Sequence, residues 1–308
     1  MTRLAGRIII GAVSVAVLCG AALAGNIQVR VEMGGAAVAG ATVTAEPAHA
    51  NGTTNAAGKC TLGPLAASTQ RVVAFANVAG VHYAAVADGV VVPAAGNVDA
   101  VLVLAQAIEF PAYMPFDLGR YWTYQCHDTA HGDHVRAEDV VRACVVGHRN
   151  AWEISTRLIG TADGWVDRET SDADGFWQFG RNEGHGWMMF RPAAFYPNHF
   201  PLGYTWKQEF DMVDGLGHVV QHETSSLRLA AFEACTVPAG TFNCAKLEGS
   251  FTHGAERQRT TLWLAPKVGV VRMIERKAGD TLERNLAETG HRALPVHPVL
   301  PAPVVPHG

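Results

Sequence analysis

Apolar residues alternate with polar ones through most of the 308-residue chain, and glycine-rich turns separate the alternating segments. Ile27, Val29 and Val31 show this period of two, which places successive side chains on opposite faces of a β-strand. No segment beyond the N-terminal region shows the 3.6-residue period of a convincing amphipathic helix. This pattern constrains the fold more than any other feature, and it predicts an all-β protein.

The composition excludes several classes of protein. Charged residues make up 17% of the chain and hydrophobic residues 48%, which is too apolar for a disordered chain. The net charge of -4 is unlike that of a nucleic-acid binder, so no nucleic-acid partner is expected. After the first 25 residues no apolar run is long enough to span a bilayer. We therefore expect a soluble protein without a transmembrane span after signal cleavage.

The N-terminus has the three parts of a secretory signal peptide. Two arginines precede an apolar run over residues 8–18, and the small-x-small sequence Ala22–Ala24 follows. We predict a signal peptide over residues 1–24, cleaved after Ala24, and a secreted or periplasmic location in a bacterium. An uncleaved membrane anchor is one alternative. A lipoprotein modified at Cys19 is another, which the large residue before that cysteine disfavours.

Export permits disulfides, so the cysteines of the mature chain are candidates for pairing. A loop over residues 238–241 would set Val237 opposite Phe242 and place Cys235 opposite Cys244. The same arithmetic places Cys126 opposite Cys144. We predict both disulfides, with four buried thiols as the alternative, and we expect the remaining Cys60 to be a small core residue.

Composition and spacing divide the chain into domains. Residues 25–106 contain short strands and turns typical of a small β-sandwich. Residues 107–115 contain two prolines and are predicted to be a linker. Residues 116–290 contain about thirteen candidate strands, and an antiparallel sheet of that size must curl or close. Residues 291–308 hold five of the 15 prolines and are predicted to be a disordered tail.

The first domain carries the segments GGAAVAGATVTA, GTTNAAGKCTLGPL and RVVAFANVAGVHYAAVADGVVV. These segments resemble the carboxypeptidase regulatory-like domains of bacterial exported proteins, which are transthyretin-type β-sandwiches. The sequence departs from that pattern at Cys60, where an aromatic or large apolar residue is common. The resemblance implies an accessory or sugar-associated module and brings no catalytic residues with it.

The second domain carries YMPFDLGRYWTYQC, HFPLGYTW, VPAGTFNCAKLE and WLAPKVGVVRMIER, in that order. It is similar to a group of uncharacterised bacterial exported domains that we associate with the half-barrel of the lipoprotein carriers LolA and LolB. The resemblance implies a strongly curled, half-barrel-like antiparallel meander. The expected fold class is thus all-β, with a small Ig- or transthyretin-like sandwich followed by a half-barrel.

Aromatic residues are concentrated between residues 165 and 206. Such a density can line an apolar cavity or stack on sugar rings. The candidate ligand-binding residues are Trp165, Trp177, Trp187, Tyr196 and Trp206. The alternative is that these side chains fill the core of a curled sheet.

The sequence contains few candidate motifs for catalysis or metal binding. No nucleophile elbow or phosphate-binding glycine loop is present, so no catalytic residue is predicted. His127, His131 and His134 lie together with two aspartates in one loop, which could hold a borderline metal. Their spacing matches no known site, and a solvated polar loop is the preferred interpretation. We predict no metal and no cofactor.

Two functional hypotheses follow from these patterns. The first is an exported non-enzymatic binding protein whose half-barrel holds an apolar or amphipathic, lipid-like ligand or docks an envelope protein. The second is a structural or glycan-associated cell-surface protein without a cavity ligand. A hydrolase would need a pair of acidic residues in a cleft, and the sequence does not place one.

Overall fold

A computed structural model describes residues 24–293 of the chain. The predicted signal peptide up to residue 23 and the predicted tail from residue 294 lie outside the described residues. The described part is almost entirely β-structure, and its one helix, α1 (Phe110–Tyr113), has four residues. No helix within residues 24–293 is long and apolar enough to cross a membrane.

The N-terminal part of the described chain is a sandwich of two sheets. Its strands are β1 (Ala24–Met33), β2 (Ala36–Ala37), β3 (Thr42–Glu46), β4 (Ala50–Thr53), β5 (Lys59–Ala66), β6 (Ser68–Val78), β7 (Val81–Val92), β8 (Gly96–Val103) and β9 (Ala105–Glu109). One sheet contains β2, β1 and β5, with β8 parallel to β1. The other sheet contains the series β9-β7-β6-β3-β4.

Alternating residues of these strands form the core of the sandwich. Ile27, Val29 and Val31 are at most 2% exposed, as the period of two predicts. Cys60 packs in the same core, in agreement with its predicted role as a small core residue. The assignment of this sandwich to the carboxypeptidase regulatory-like family remains a prediction.

The second part of the chain is a closed antiparallel barrel. Its strands, together with one short strand outside the barrel, are β10 (Arg120–Asp128), β11 (His134–Val146), β12 (Arg149–Ile159), β13 (Gly164–Ser171), β14 (Gly175–Asn182), β15 (Trp187–Pro197), β16 (His199–Pro201), β17 (Thr205–Val213), β18 (Val219–Val237), β19 (Gly240–His253), β20 (Glu256–Ala265), β21 (Gly269–Lys277) and β22 (Asp280–His291). Every strand of this set except β16 belongs to the twelve-stranded barrel.

The expectation of a half-barrel is therefore wrong. Strand β10 pairs with β11 on one side and with β22, the last strand, on the other. The twist of each strand pair accumulates around the sheet, so that the first strand meets the last. Closure satisfies the backbone groups that a half-barrel would leave unpaired at its two edges.

Strand β16 connects the barrel to the sandwich. It leaves the barrel between β15 and β17 and pairs with β9, where His199 faces Glu109 and Phe200 faces Ile108. Both Phe200 and Ile108 are fully buried. The segment 107–115, expected to be a linker, therefore contains the end of a shared strand and the helix α1. The two folds are joined by backbone hydrogen bonds and a common apolar core.

The first predicted disulfide, between Cys235 and Cys244, is absent because the loop between β18 and β19 is shorter than predicted. Val237 pairs with Gly240, and this register sets Cys235 opposite Phe242 instead of Cys244. The two thiols remain neighbours and both are buried. Burial, and then the adjacent Cys235, raise the pKa of Cys244 to about 12, so this thiol keeps its proton at neutral pH.

The second predicted disulfide fails for a similar reason. A short turn joins β10 to the beginning of β11, so Cys126 faces His134. Cys144 lies at the far end of β11, where it faces Ala151 of the next strand. All five cysteines within residues 24–293 are free thiols, and the prediction of disulfides is wrong for this structure.

Candidate functional site

The barrel contains a partly open cavity of about 240 Å³. Part of its wall is apolar and comes from α1, from the residue that follows α1 and from four barrel strands: Phe110, Met114, Phe176, Leu227, Leu247 and Leu264. The other part of the wall carries charged side chains: Arg136, Glu138, Asp167, Glu169, Arg181 and Arg284. We refer to the second set as the charged wall. The cavity is thus amphipathic.

The charged wall follows from residue spacing in two strands. Arg136 and Glu138 are two residues apart on β11, and Asp167 and Glu169 are two residues apart on β13. Residues at this spacing lie on one face of a strand, which here is the inner face of the barrel. Arg284 of β22 completes the group, because β22 lies next to β10 on the other side.

Ion pairs within the charged wall offset the cost of burying its charges. Glu138 Oε1 accepts from Arg136 at 2.6 Å and from Arg284 at 3.1 Å. Arg181 Nε donates to Asp167 Oδ1 at 2.8 Å. A buried charge is tolerated when it is paired in this way, and removal of one partner leaves an uncompensated charge.

Glu169 differs from the other acids of the charged wall. Burial, and then the nearby charge of Asp167, raise the pKa of Glu169 to about 8. Gln178 Nε2 donates to Glu169 Oε1 at 2.8 Å. The carboxyl group therefore keeps its proton at neutral pH and can donate a hydrogen bond from its protonated oxygen.

Several buried polar atoms of the cavity wall have no hydrogen-bond partner among the described residues. These atoms are the Nε groups of Arg136 and Arg284 and the hydroxyls of Thr156 and Thr260. A buried polar atom without a partner costs about 1–3 kcal/mol. All four groups can donate a hydrogen bond. The cavity thus offers donors to a molecule that carries acceptor atoms.

Two of the five predicted ligand-binding aromatic residues are associated with the cavity. Tyr196 lines it directly, and burial raises the pKa of its hydroxyl to about 12. Trp165 lies two residues before Asp167 on β13 and donates from Nε1 to its Oδ2 at 2.9 Å. The indole ring also packs against Arg136 and Arg181, at 4.6 and 5.1 Å.

The other three predicted residues do not line this cavity. Trp177 lies between two cavity residues of β14, so it points to the outer face, where Arg149 lies 4.1 Å from its ring. Trp187 packs under Arg168 at 3.6 Å, and Trp206 packs under a guanidinium of the sandwich. The structure does not bring the five residues onto one face.

The histidine loop also does not converge on one point. His131 Nδ1 lies 3.0 Å from Asp128, whereas His134 Nδ1 lies 3.1 Å from the carbonyl of Gly132. His127 contacts a different aspartate. These are separate local contacts on an exposed turn.

The residues of the charged wall are not among the candidates predicted from the sequence. Acidic and basic side chains usually face solvent, so their presence in a strand does not by itself indicate a cavity. One sequence feature could have indicated the charged wall. Arg136 and Glu138, and likewise Asp167 and Glu169, are two residues apart and so share one face of a strand, and Trp165 lies on the same face as Asp167. That signal acquires meaning only when the sheet is known to close.

The fold and cavity define an all-β protein whose closed twelve-stranded barrel is joined to a sandwich and encloses an amphipathic interior. No family model matches the sequence, and no curated protein matches it significantly. Among solved structures, the chain is similar to a candidate lipoprotein from Parabacteroides distasonis, with 15% identity and a TM-score of 0.36 over 60% of this chain and 100% of that one. It is also similar to a candidate exported protein with a YmcC-like fold from Bacteroides fragilis, with 16% identity and a TM-score of 0.38 over 60% of this chain and 99% of that one. No functional inference follows from either similarity.

Proposed function

We propose that the protein is an exported, non-enzymatic binding protein that holds a small amphipathic molecule inside its barrel. The observation that carries the proposal is the combination, in one cavity, of an apolar wall with buried hydrogen-bond donors that lack partners among the described residues. An apolar wall alone would suit a dry core, and polar groups alone would suit trapped water. Their combination suits a molecule with one apolar end and one polar end.

The size of the cavity limits the ligand. The cavity has a volume of about 240 Å³. This is below the usual range for drug-sized ligands. We therefore expect the ligand to be a short-chain amphiphile, because a whole phospholipid is too large for this cavity.

The charged wall selects the polar end of the ligand. Arg136, Arg181 and Arg284 face the carboxyl groups of Glu138, Asp167 and the nearby Glu275, whereas Glu169 is protonated at neutral pH. The charges of the cavity wall therefore largely compensate one another. The buried polar groups of the wall without a hydrogen-bond partner among the described residues are hydrogen-bond donors. We infer that an oxygen-rich end such as a carboxyl or hydroxyl group is preferred over an ammonium group.

Isothermal titration calorimetry with a homologous series tests the proposal. The full chain is titrated with straight-chain carboxylic acids and alcohols of increasing length, and with amines of matched length. Each added methylene contributes about 0.8 kcal/mol, so the affinity is expected to rise about fourfold per methylene until the cavity is full. The amines are expected to bind at least tenfold more weakly than the acids.

A matched pair of variants localises the binding. Leu262→Trp introduces a large side chain into the cavity, whereas Thr261→Trp places the same side chain on the opposite face of β20. We expect Leu262→Trp to abolish binding and Thr261→Trp to leave it within about twofold. Failure of every acid and alcohol to bind the wild-type chain would contradict the proposal and favour the structural alternative.

A further inference from the structure

The junction between sandwich and barrel brings together three side chains that are far apart in the sequence. His82 lies on β7, Glu109 at the end of β9 and His199 at the start of β16. Strand β9 pairs with both β7 and β16, and Glu109 faces His199 directly. Within residues 24–293, this is the only group of at least three His, Cys, Asp or Glu residues whose potential ligand atoms all lie within 4.8 Å of one another.

The spacing of these atoms is close to that of a zinc site. His82 Nε2 and His199 Nδ1 are 3.1 Å apart, and Glu109 Oε1 lies 3.9 Å from the same His199 nitrogen. Two nitrogens bound to one tetrahedral zinc ion at the usual bond length lie about 3.4 Å apart. Zinc binding requires the two rings to separate and the carboxylate of Glu109, whose Oε1 lies 3.5 Å from Nδ1 of His82, to turn toward Nε2.

Neighbouring groups hold both imidazole rings in place. The Nδ1 atom of His82 lies 3.3 Å from the side-chain oxygen of Asn77, to which it can donate a hydrogen bond. That contact leaves Nε2 with its lone pair facing His199. The ring of Phe75 stacks on His199 with centroids 3.8 Å apart. Contacts of this kind orient metal-binding histidines in known sites.

The local environment keeps the ligands available. The side chains of His82 and His199 are 10% and 18% exposed, so bulk water reaches both rings only in part. Arg71 is the nearby cation, and its charge is partly offset by Asp88 and Glu46, at 3.5 and 3.7 Å.

We propose that His82, His199 and Glu109 bind one divalent ion of the zinc class at the junction of the two domains. Two imidazoles and one carboxylate form a donor set that suits zinc better than calcium or magnesium, which prefer oxygen ligands. His199 also lines a groove of about 280 Å³ between the domains, so an ion can reach the site. The ion would connect sandwich side chains to barrel side chains.

The test uses the untagged full chain after chelator treatment and dialysis. Calorimetry with zinc chloride alone is expected to give one ion per chain at this site. The variants His82→Ala and His199→Ala should weaken its binding at least 100-fold. Asn77→Ala should weaken it about tenfold, since that residue orients a ligand without touching the ion. His222→Ala is the matched control, because His222 is an exposed histidine of β18 that pairs with Asp211 and is not part of the cluster at the junction.

Two further measurements separate loss of binding from loss of folding. Circular dichroism in the presence of chelator establishes whether each variant is folded. Glu109→Gln preserves the shape of the side chain and removes its charge, so it should remain folded and still bind zinc more weakly. The visible absorption of bound cobalt(II) reports nitrogen and oxygen coordination in the wild type and should disappear in His199→Ala. Zinc binding that is unchanged in both histidine variants, or absent from the wild type, would overturn the proposal.

Discussion

The protonated carboxyl group of Glu169 makes the stability of the barrel depend on pH. In the unfolded chain this group titrates near its ordinary pKa of 4.5, whereas in the folded protein its pKa is about 8. Between these two values the folded state binds the proton and the unfolded state releases it. The free energy of unfolding therefore falls as the pH rises from about 5 to 8, and the loss is complete above the folded pKa.

The size of this effect follows from the shift. One pKa unit corresponds to 1.36 kcal/mol, so the whole shift corresponds to about 5 kcal/mol. This value is an upper limit, because water that enters the cavity solvates the carboxylate. We expect a loss of about 2–5 kcal/mol between pH 5 and pH 9 that is specific to Glu169.

The variant Glu169→Gln isolates the contribution of this residue. Glutamine keeps the size and hydrogen-bonding capacity of the protonated acid but does not titrate. Urea denaturation of both proteins from pH 5 to pH 9 gives their stability difference, in which the titration of the other groups cancels. Glu183→Gln is the control, because that side chain is 53% exposed. Parallel pH profiles for wild type and Glu169→Gln would refute the reasoning.

Three further results are expected from simple measurements. Phe200→Ala empties a fully buried position at the domain junction and should lower the free energy of unfolding by about 3–5 kcal/mol in urea denaturation; a loss below 1 kcal/mol would contradict this role. Thiol titration of the denatured protein without reductant should count every cysteine of residues 24–293 as free, and peptide mapping that finds a linked pair would contradict it. Trp177→Ala should leave the affinity for short-chain acids within about twofold in calorimetry, because this ring lies on the outer face of the barrel; a tenfold loss would move the ligand site outside.

Much of the fold could be predicted because strand alternation is a local property. The segments rich in alternating residues became strands in both domains. Local patterns also limit the prediction, as β18 shows. The sequence pattern predicts two strands here, over residues 218–224 and 227–237, but the chain continues through Ser225 and Ser226 as one strand. Small polar residues are compatible with turns and strands alike, and here the Ser226 hydroxyl bonds across the sheet to Ser250 at 3.0 Å.

Closure of the barrel and the cavity could not be predicted in the same way. Closure depends on the pairing of Arg120–Asp128 with residues more than 150 positions later, and no local pattern encodes that pairing. The cavity depends on closure, since only closure turns Arg136 and Glu169 toward an interior. The cluster of His82, Glu109 and His199 at the domain junction, here called the junction cluster, depends on a third long-range event, the pairing of β16 with β9.

The direct succession of Glu109 and Phe110 limits the modularity of this protein. The first of these residues belongs to the junction cluster, and the second is part of the cavity wall. A recombination event that exchanged the sandwich for another module at this point would remove β9, which is the pairing partner of β16. It would also disturb the part of the cavity wall that Phe110 forms. The two folds are therefore expected to be inherited as one evolutionary unit, and insertions should accumulate in the distal turns and not at their border.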